Sequence, residues 1–361
     1  MASALSRALH TAFAPPRYLS LPTVGIDLST SGVKGALVVE RSHGLELSSY
    51  IDVRFPGAAF AEGDIADRAA VIAALRELRA KVGVSTANIS LPESKSYLFE
   101  THAVGTTKED LKIAVEQHID EYVPLPPADT AFDIVPLTVG AEGTLVVGVG
   151  YAKRIIEEIF SVCEEAGFTP RALESETFAA ARALLPFGES GTALVVDIGK
   201  TTTKLAIVTG GVPRFATTIG IGGHALTLAV QKHFGVTETE ARRVKLSHGI
   251  VPGEGNEDYL AAMLSTASAI RDEIARKLEY WQAHAALSGG HEPVARAVMV
   301  GGNASVRGLA EYLEGTLRIP VTTGNVFANF ASTDVWLPPL DYTQSLVYST
   351  AIGLALREYV R

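Results

Sequence analysis

The sequence predicts an α/β protein of two lobes carrying an inserted subdomain, and three observations support that prediction. The first is length: 361 residues exceed what one hydrophobic core usually fills, so the chain is expected to divide. The second is a repeated motif in which an apolar strand delivers an Asp, a turn of small and hydroxyl residues follows, and a Lys opens the next apolar strand. It occurs as Val24-Gly25-Ile26-Asp27-Leu28-Ser29-Thr30-Ser31-Gly32-Val33-Lys34 and again as Val196-Asp197-Ile198-Gly199-Lys200-Thr201-Thr202-Thr203-Lys204. The third is the stretch 93–151, whose own hydrophobic pattern interrupts the strand and helix order around it.

Composition narrows the class. With 47% hydrophobic residues and a mean hydropathy of +0.21, the chain can bury substantial cores. A net charge of −9 argues against broad nucleic-acid binding. The single cysteine, Cys163, rules out an internal disulfide and a multi-Cys metal site, and its setting reads as a helix core position. The histidines show no metal-ligand spacing. No apolar run approaches the roughly 18 residues a membrane span needs, and no secretory signal is evident, so a soluble chain without a direct membrane span is expected.

In order, Leu5, Leu9 and Phe13 with Arg7 opposite predict a terminal helix over 3–13. The Asp27 hairpin opens the first lobe, with a third strand over 46–55. Val71, Ile72, Leu75, Leu78 and Val82 give helical spacing over 67–82, stopped by Gly83. A short strand over 88–91 ends at Pro92. Within the insert, Thr107 with Asp110 predicts a capped helix running to Tyr122, whose apolar stripe includes Leu111, Val115 and Ile119. Pro124-Leu125-Pro126-Pro127 forces an extended crossing, and strands over 132–137 and 144–150 complete an α+β unit. A helix over 152–165, a strand over 172–174 and a helix over 177–185 return to the first lobe. The stretch 186–191 reads as the junction. The second lobe then repeats the hairpin, adds helices over 224–234, 237–246 and 259–286, and continues with a strand over 297–300 and helices over 305–317 and 348–360. The last is expected to return to the first lobe.

The chemistry that fits the hairpins is phosphate and metal binding. Small residues let backbone N–H groups approach phosphates, and a Lys offsets their charge. Ser29, Thr30, Ser31, Gly32 and Lys34 in the first copy, and Gly199, Lys200, Thr201, Thr202 and Lys204 in the second, are the candidate ligands. Asp27 and Asp197 are candidate Mg²⁺ carboxylates acting through water, because Mg²⁺ gives up its hydration shell reluctantly. A third piece, Gly301-Gly302-Asn303 after the buried strand, would let a flat ring lie against backbone. No P-loop or Rossmann glycine pattern is present.

The order of Asp27 hairpin, Asp197 hairpin and Gly301-Gly302 resembles the two phosphate motifs and the adenosine motif of the actin, Hsp70 and sugar-kinase superfamily. Within it, the chain is similar to the PilM-type type IV pilus assembly proteins, relatives of the cell-division protein FtsA. The features that carry the resemblance are Gly25-Ile26-Asp27 with Val33-Lys34, Glu116-Gln117-His118-Ile119-Asp120-Glu121-Tyr122-Val123-Pro124, Gly220-Ile221-Gly222-Gly223, Thr239 to Lys245 and Ala351-Ile352-Gly353-Leu354-Ala355-Leu356-Arg357. The Tyr122-Val123-Pro124 stretch and the Ala351 to Ala355 ending select this branch. The resemblance covers 22–361.

It implies a two-lobed actin-like (RNase H-like) ATPase fold closing on ATP and Mg²⁺, with an FtsA/PilM-type inserted subdomain. The implied division is an amino-terminal segment over 1–17 and a first lobe over 18–92, 152–187 and 346–361. The insert occupies 93–151, the second lobe 188–220 and 295–345, and a further subdomain 221–294. Lys245 is implied at the nucleoside. Glu176 matches the position that orients water in Hsp70-like chains and is the catalytic candidate, with hydrolysis slow or absent. The implied partner is the cytoplasmic amino-terminal tail of a PilN-like inner-membrane protein, received beside the insert at Leu111, Val115 and Ile119. Other pilus platform proteins and self-association as a homo-oligomer are further implied contacts. The implied location is cytoplasmic, peripheral at the inner membrane through the partner. Two positions depart from the pattern. Ser29 replaces a usual Gly, predicting a tighter or differently bonded turn, and Arg242 stands where relatives carry Glu. Two other readings are a small-molecule kinase, which needs a base in the cleft that no residue clearly offers, and an FtsA-like filament protein.

Overall fold

The computed structural model describes residues 21–253, 256–287 and 292–360; the helix expected over 3–13 lies outside them. The first strands are β1 (Thr23–Ser29), β2 (Gly32–Arg41) and β3 (Gly44–Arg54). β1 is buried along almost its whole length, as befits a strand covered on both faces. A small hairpin, β4 (Phe60–Ala61) with β5 (Asp64–Ile65), precedes α1 (Arg68–Val82). The Asp67 side chain caps α1 by accepting from the Ala70 amide, and Gly83 at φ 71° ends it. β6 (Thr86–Leu91) then lies parallel to β1.

The insert contains β7 (Tyr97–Ala103), α2 (Lys108–Glu116), α3 (Ile119–Tyr122), β8 (Thr130–Gly140) and β9 (Gly143–Ala152). Its sheet has three strands in the order β7-β9-β8, one more than the sequence predicts, because Glu100, Thr101 and His102 dilute the apolar pattern of β7. The Thr107–Asp110 capping box forms, but the single helix predicted to Tyr122 is two, broken after Glu116. The apolar stripe also has a different use from the one expected. Leu111, Val115 and Ile119 are 4%, 3% and 2% exposed and pack with Phe99, Val123, Ile134 and Val146. α2 and α3 cover one face of this sheet, and their apolar stripe builds the subdomain's own core there. These three side chains are not a surface that could receive a peptide.

α4 (Lys153–Glu165), β10 (Thr169–Ser175) and α5 (Glu176–Leu184) return to the first lobe, completing the sheet β10-β6-β1-β2-β3. Cys163 is fully buried in α4, and burial pushes its thiol up to about 12.

The second lobe repeats the plan. β11 (Thr192–Ile198), β12 (Thr203–Thr209) and β13 (Val212–Ile219) form an antiparallel meander. β14 (Arg296–Val300) and β15 (Val321–Thr323) extend it in parallel, giving β13-β12-β11-β14-β15. The two five-stranded sheets therefore share one topology. Between β13 and β14 lie α6 (Gly223–Phe234), α7 (Glu238–His248) and α8 (Glu257–Leu287). α9 (Leu309–Leu317) begins later than the predicted Ser305, because Gly308 at φ 79° occupies its N-cap.

The chain ends with α10 (Tyr342–Ser345) and α11 (Ser349–Leu356). α11 stops short of the predicted Val360, and all of its residues are buried. Two glycines allow backbone contact on either side of it. A Cβ on Gly25 would lie 2.0 Å from the Ala351 carbonyl oxygen, and one on Gly353 would lie 1.7 Å from that of Ala179. Among the described residues no helix is long and apolar enough to cross a membrane.

Candidate nucleotide site

The repeated Asp-to-Lys spacing has a simple structural meaning. Asp27 pairs with Lys34 across β1 and β2, and Asp197 pairs with Lys204 across β11 and β12. Residues directly opposite on neighbouring strands share a face, so each hairpin presents one carboxylate and one ammonium together beside its turn.

In the first hairpin, Ser29 pairs with Gly32 across the turn. The Ser29 hydroxyl donates to the Gly32 carbonyl at 3.1 Å and accepts from Lys34 Nζ at 3.2 Å. This is the tight, side-chain-bonded turn that Ser29 predicts. Lys34 Nζ also lies 3.6 Å from Asp27 Oδ2. Asp27 Oδ1 is buried without a hydrogen-bond partner, a costly state for a carboxylate oxygen. An incoming donor or a hydrated cation would relieve it.

The second turn is braced from behind. Gly199 N donates to the Thr202 carbonyl at 2.9 Å, and the amides of Gly223 and His224 donate to the carbonyls of Gly199 and Lys200 at 3.0 and 2.8 Å. Asn303 Nδ2 donates to the carbonyls of Ile198 and Gly199 at 3.1 and 2.8 Å. Lys245 Nζ in turn donates to Asn303 Oδ1 at 2.6 Å, Thr227 Oγ1 at 3.0 Å and the Gly223 carbonyl at 3.1 Å. An ammonium has three donors, and all three are used, so Lys245 ties α6, α7 and the Gly301 turn into one unit. Burial pulls its pKa down to about 8, with Arg242 adding to the effect. Arg242 itself turns outward to Glu238 at 2.7 Å. Gly301, at φ 87°, lies against the second carboxylate: a Cβ there would sit 2.3 Å from Asp197 Oδ1. Thr30, Ser31, Lys200, Thr201 and Gly302 are exposed and Thr202 is half-buried at the mouths of these turns.

Glu176, the first residue of α5, connects the lobes. Lys204 Nζ donates to its Oε1 at 2.8 Å, and the Glu93 amide donates to its Oε2 at 2.9 Å. It is 5% exposed, so it is no surface residue at a helix start. Burial pushes its pKa up to about 7 against the opposing pull of Lys204. Burial would lower Lys204, but Glu176, Asp197 and Asp27 outweigh that and hold it above its ordinary value. Burial likewise raises Asp197, with Lys204 pulling it down and Asp27 pushing it up, so the two hairpins lie within electrostatic reach of each other. Glu174, two residues earlier, is occupied elsewhere, with Arg182 at 2.6 Å and Arg357 at 3.0 Å.

Two features escape sequence reasoning. Glu93, directly after β6 and Pro92, is 4% exposed and accepts from the hydroxyls of Ser175 at 2.5 Å, Thr177 at 2.8 Å and Ser96 at 2.5 Å. Its only sequence signal is an acid placed immediately after a buried strand. The second feature is a two-pronged ion pair between Glu100 of β7 and Arg214 of β13, which ties the insert to the second lobe.

Two sheets of one topology, each carrying an Asp–Lys hairpin, with the hairpins in electrostatic reach of each other and a glycine turn against the second, define a two-lobed actin-like ATPase fold. A family model described as "Type IV pilus assembly protein PilM" matches residues 25–359, and the chain belongs to that family. Among solved structures it is similar to the PilM-PilN type IV pilus biogenesis complex, with 22% identity, a TM-score of 0.75, and coverage of 95% of this chain and 99% of that one. It also resembles MreB5 of Spiroplasma citri bound to ADP, with 16% identity, a TM-score of 0.57 and coverage of 94% and 97%. The cell division protein FtsA of Escherichia coli (strain K12) is 26% identical over 185 residues, 44% of this chain and 42% of FtsA. The chain thus spans under half the length of the curated relatives it matches.

Proposed function

We propose that the chain is an ATP-binding adaptor of the type IV pilus inner-membrane assembly platform, located in the cytoplasm and held at the membrane through a PilN-like partner. ATP would lie between the hairpins, with Asp27 and Asp197 holding Mg²⁺ through water and the turns and lysines meeting the phosphates. The observation that carries the nucleotide reading is the unpartnered buried Asp27 Oδ1, within electrostatic reach of a second hairpin of the same design. Glu176 is committed to Lys204, which favours binding over rapid turnover, because a group that orients water must first be released. Asn303 and Lys245 act by shaping the nucleoside end, since their polar atoms are spent on each other and on backbone. Calorimetry of Mg-ATP binding tests this: Asp27→Ala and Asp197→Ala should each weaken affinity roughly tenfold or more, and unchanged affinity in both removes the reading.

The partner's tail is proposed to dock on the insert's outer surface. Val104 and Val139 are 78% and 86% exposed and flank Thr144 and Ala103 at one end of the sheet. Val139→Asp should weaken capture of a PilN-like peptide without changing the circular dichroism spectrum. Equal capture would move the docking surface elsewhere.

A further inference from the structure

The buried polar cluster behind Glu176 is built from three parts of the chain. The approach to the insert supplies Glu93 and Ser96, and the last strand of its sheet supplies Tyr151. The first lobe supplies Ser175, Glu176 and Thr177, and the second lobe supplies Lys204. Glu93 is 4% exposed, and each of its carboxylate oxygens accepts from a hydroxyl: Oε1 from Ser96, Oε2 from Ser175 and Thr177. Ser175 is also the N-cap of α5, where its hydroxyl accepts from the Thr177 amide at 3.3 Å. Glu93 therefore fixes the first turn of α5 through side chains, and fixes Glu176 directly by donating its own amide to Oε2. The other Glu176 oxygen holds Lys204.

We infer that Glu93 is a positioning residue: it holds Glu176 on Lys204 across the cleft, so that the entrance to the insert sets whether the second hairpin's lysine is engaged or free. The chemistry is specific to a carboxylate. Glu93 meets three hydroxyl donors with two acceptor oxygens, whereas an amide offers one acceptor and turns an N–H₂ toward the remaining donors. Loss of the charged acceptor loosens Ser175, then the start of α5, then Glu176. Lys204, with 22% of its side chain exposed, then becomes available to solutes in the cleft. Ser96 carries the insert's end of this chain, its hydroxyl lying 2.5 Å from Glu93 Oε1 and 2.9 Å from the Glu93 carbonyl oxygen. The link to nucleotide rests on the proposed function; the positioning role does not.

The test needs no nucleotide. The full chain is treated briefly with acetic anhydride and the acetylation rate of each lysine is read by mass spectrometry. Lys200, exposed in the turn of the same hairpin, reports reagent access, and Lys245, buried and bonded to Asn303, Thr227 and Gly223, reports general loosening. Glu176→Gln, Glu93→Gln and the milder Ser96→Ala should each raise Lys204 acetylation relative to wild type. The rise for Glu93→Gln should be roughly tenfold, the scale that a hydrogen bond to a charged group commands. Lys245 should stay protected throughout. If Glu176→Gln exposes Lys204 while Glu93→Gln and Ser96→Ala do not, the positioning role is overturned. It is also overturned if Lys245 becomes reactive in step with Lys204, because the effect is then global, or if Glu176→Gln leaves Lys204 protected. Failure of Mg-ATP binding in the wild-type chain, by contrast, would overturn only the nucleotide reading.

Discussion

At the scale of single residues, the cleft is a balance of buried charge, and Glu176 makes that balance measurable. Burial disfavours its charged form and pushes its carboxyl from the ordinary 4.5 up to about 7 in the fold. Between those values the unfolded chain has released a proton that the folded chain keeps, so stability falls as pH rises through that window. Melting temperatures of wild type and Glu176→Gln should therefore diverge between about pH 4.5 and 7, with the variant gaining relative to wild type, and run level above it. Parallel curves across the range would mean that Glu176 stays ionised there. The Asp–Lys hairpins were legible because a fixed sequence spacing becomes a cross-strand pair once both strands form. Glu93 was not, because its partners Ser175 and Thr177 are distant in sequence and a lone acid after a strand looks like any loop residue. Lys245 and Asn303 were legible as positions but not as partners, since only the folded chain brings them within 2.6 Å.

At the scale of elements, most of the order could be read because buried strands are continuous apolar runs and helices carry caps. Asp67 and Gly83 bounded α1, and Thr107 with Asp110 opened α2. What failed were elements whose role depends on their neighbours. β7 is half polar because Glu100 reaches outward to Arg214, and the Leu111 stripe could be assigned to a core only once its sheet was in place. α11 is the element most dependent on small residues. With a Cβ on Gly353 placed 1.7 Å from the Ala179 carbonyl oxygen, Gly353→Ala must push α11 from α5. Urea denaturation should show a loss of about 2 kcal/mol or more. A neutral result would mean that the two helices separate at little cost.

At the scale of the whole molecule, the insert is fastened on two sides: through Glu93 to the first lobe and through Glu100–Arg214 to the second. The Glu100 and Arg214 side chains are only 18% and 11% exposed, so removing one leaves the other's charge poorly solvated. Arg214→Ala should cost about 3 kcal/mol. Hydrogen exchange should then rise in β7 and β13 together, while β1 and β11 keep their protection; exchange confined to β13 would show that the insert does not depend on this pair. The contact between β1 and α11 carries a different consequence, in time rather than in space. Gly25 sits against the Ala351 carbonyl, so β1 leaves the ribosome long before the helix that completes it. The second lobe holds all its strands in one unbroken span of chain and can close while synthesis continues. The first keeps an apolar groove open until α11 is added, so it is completed after the lobe that follows it in sequence.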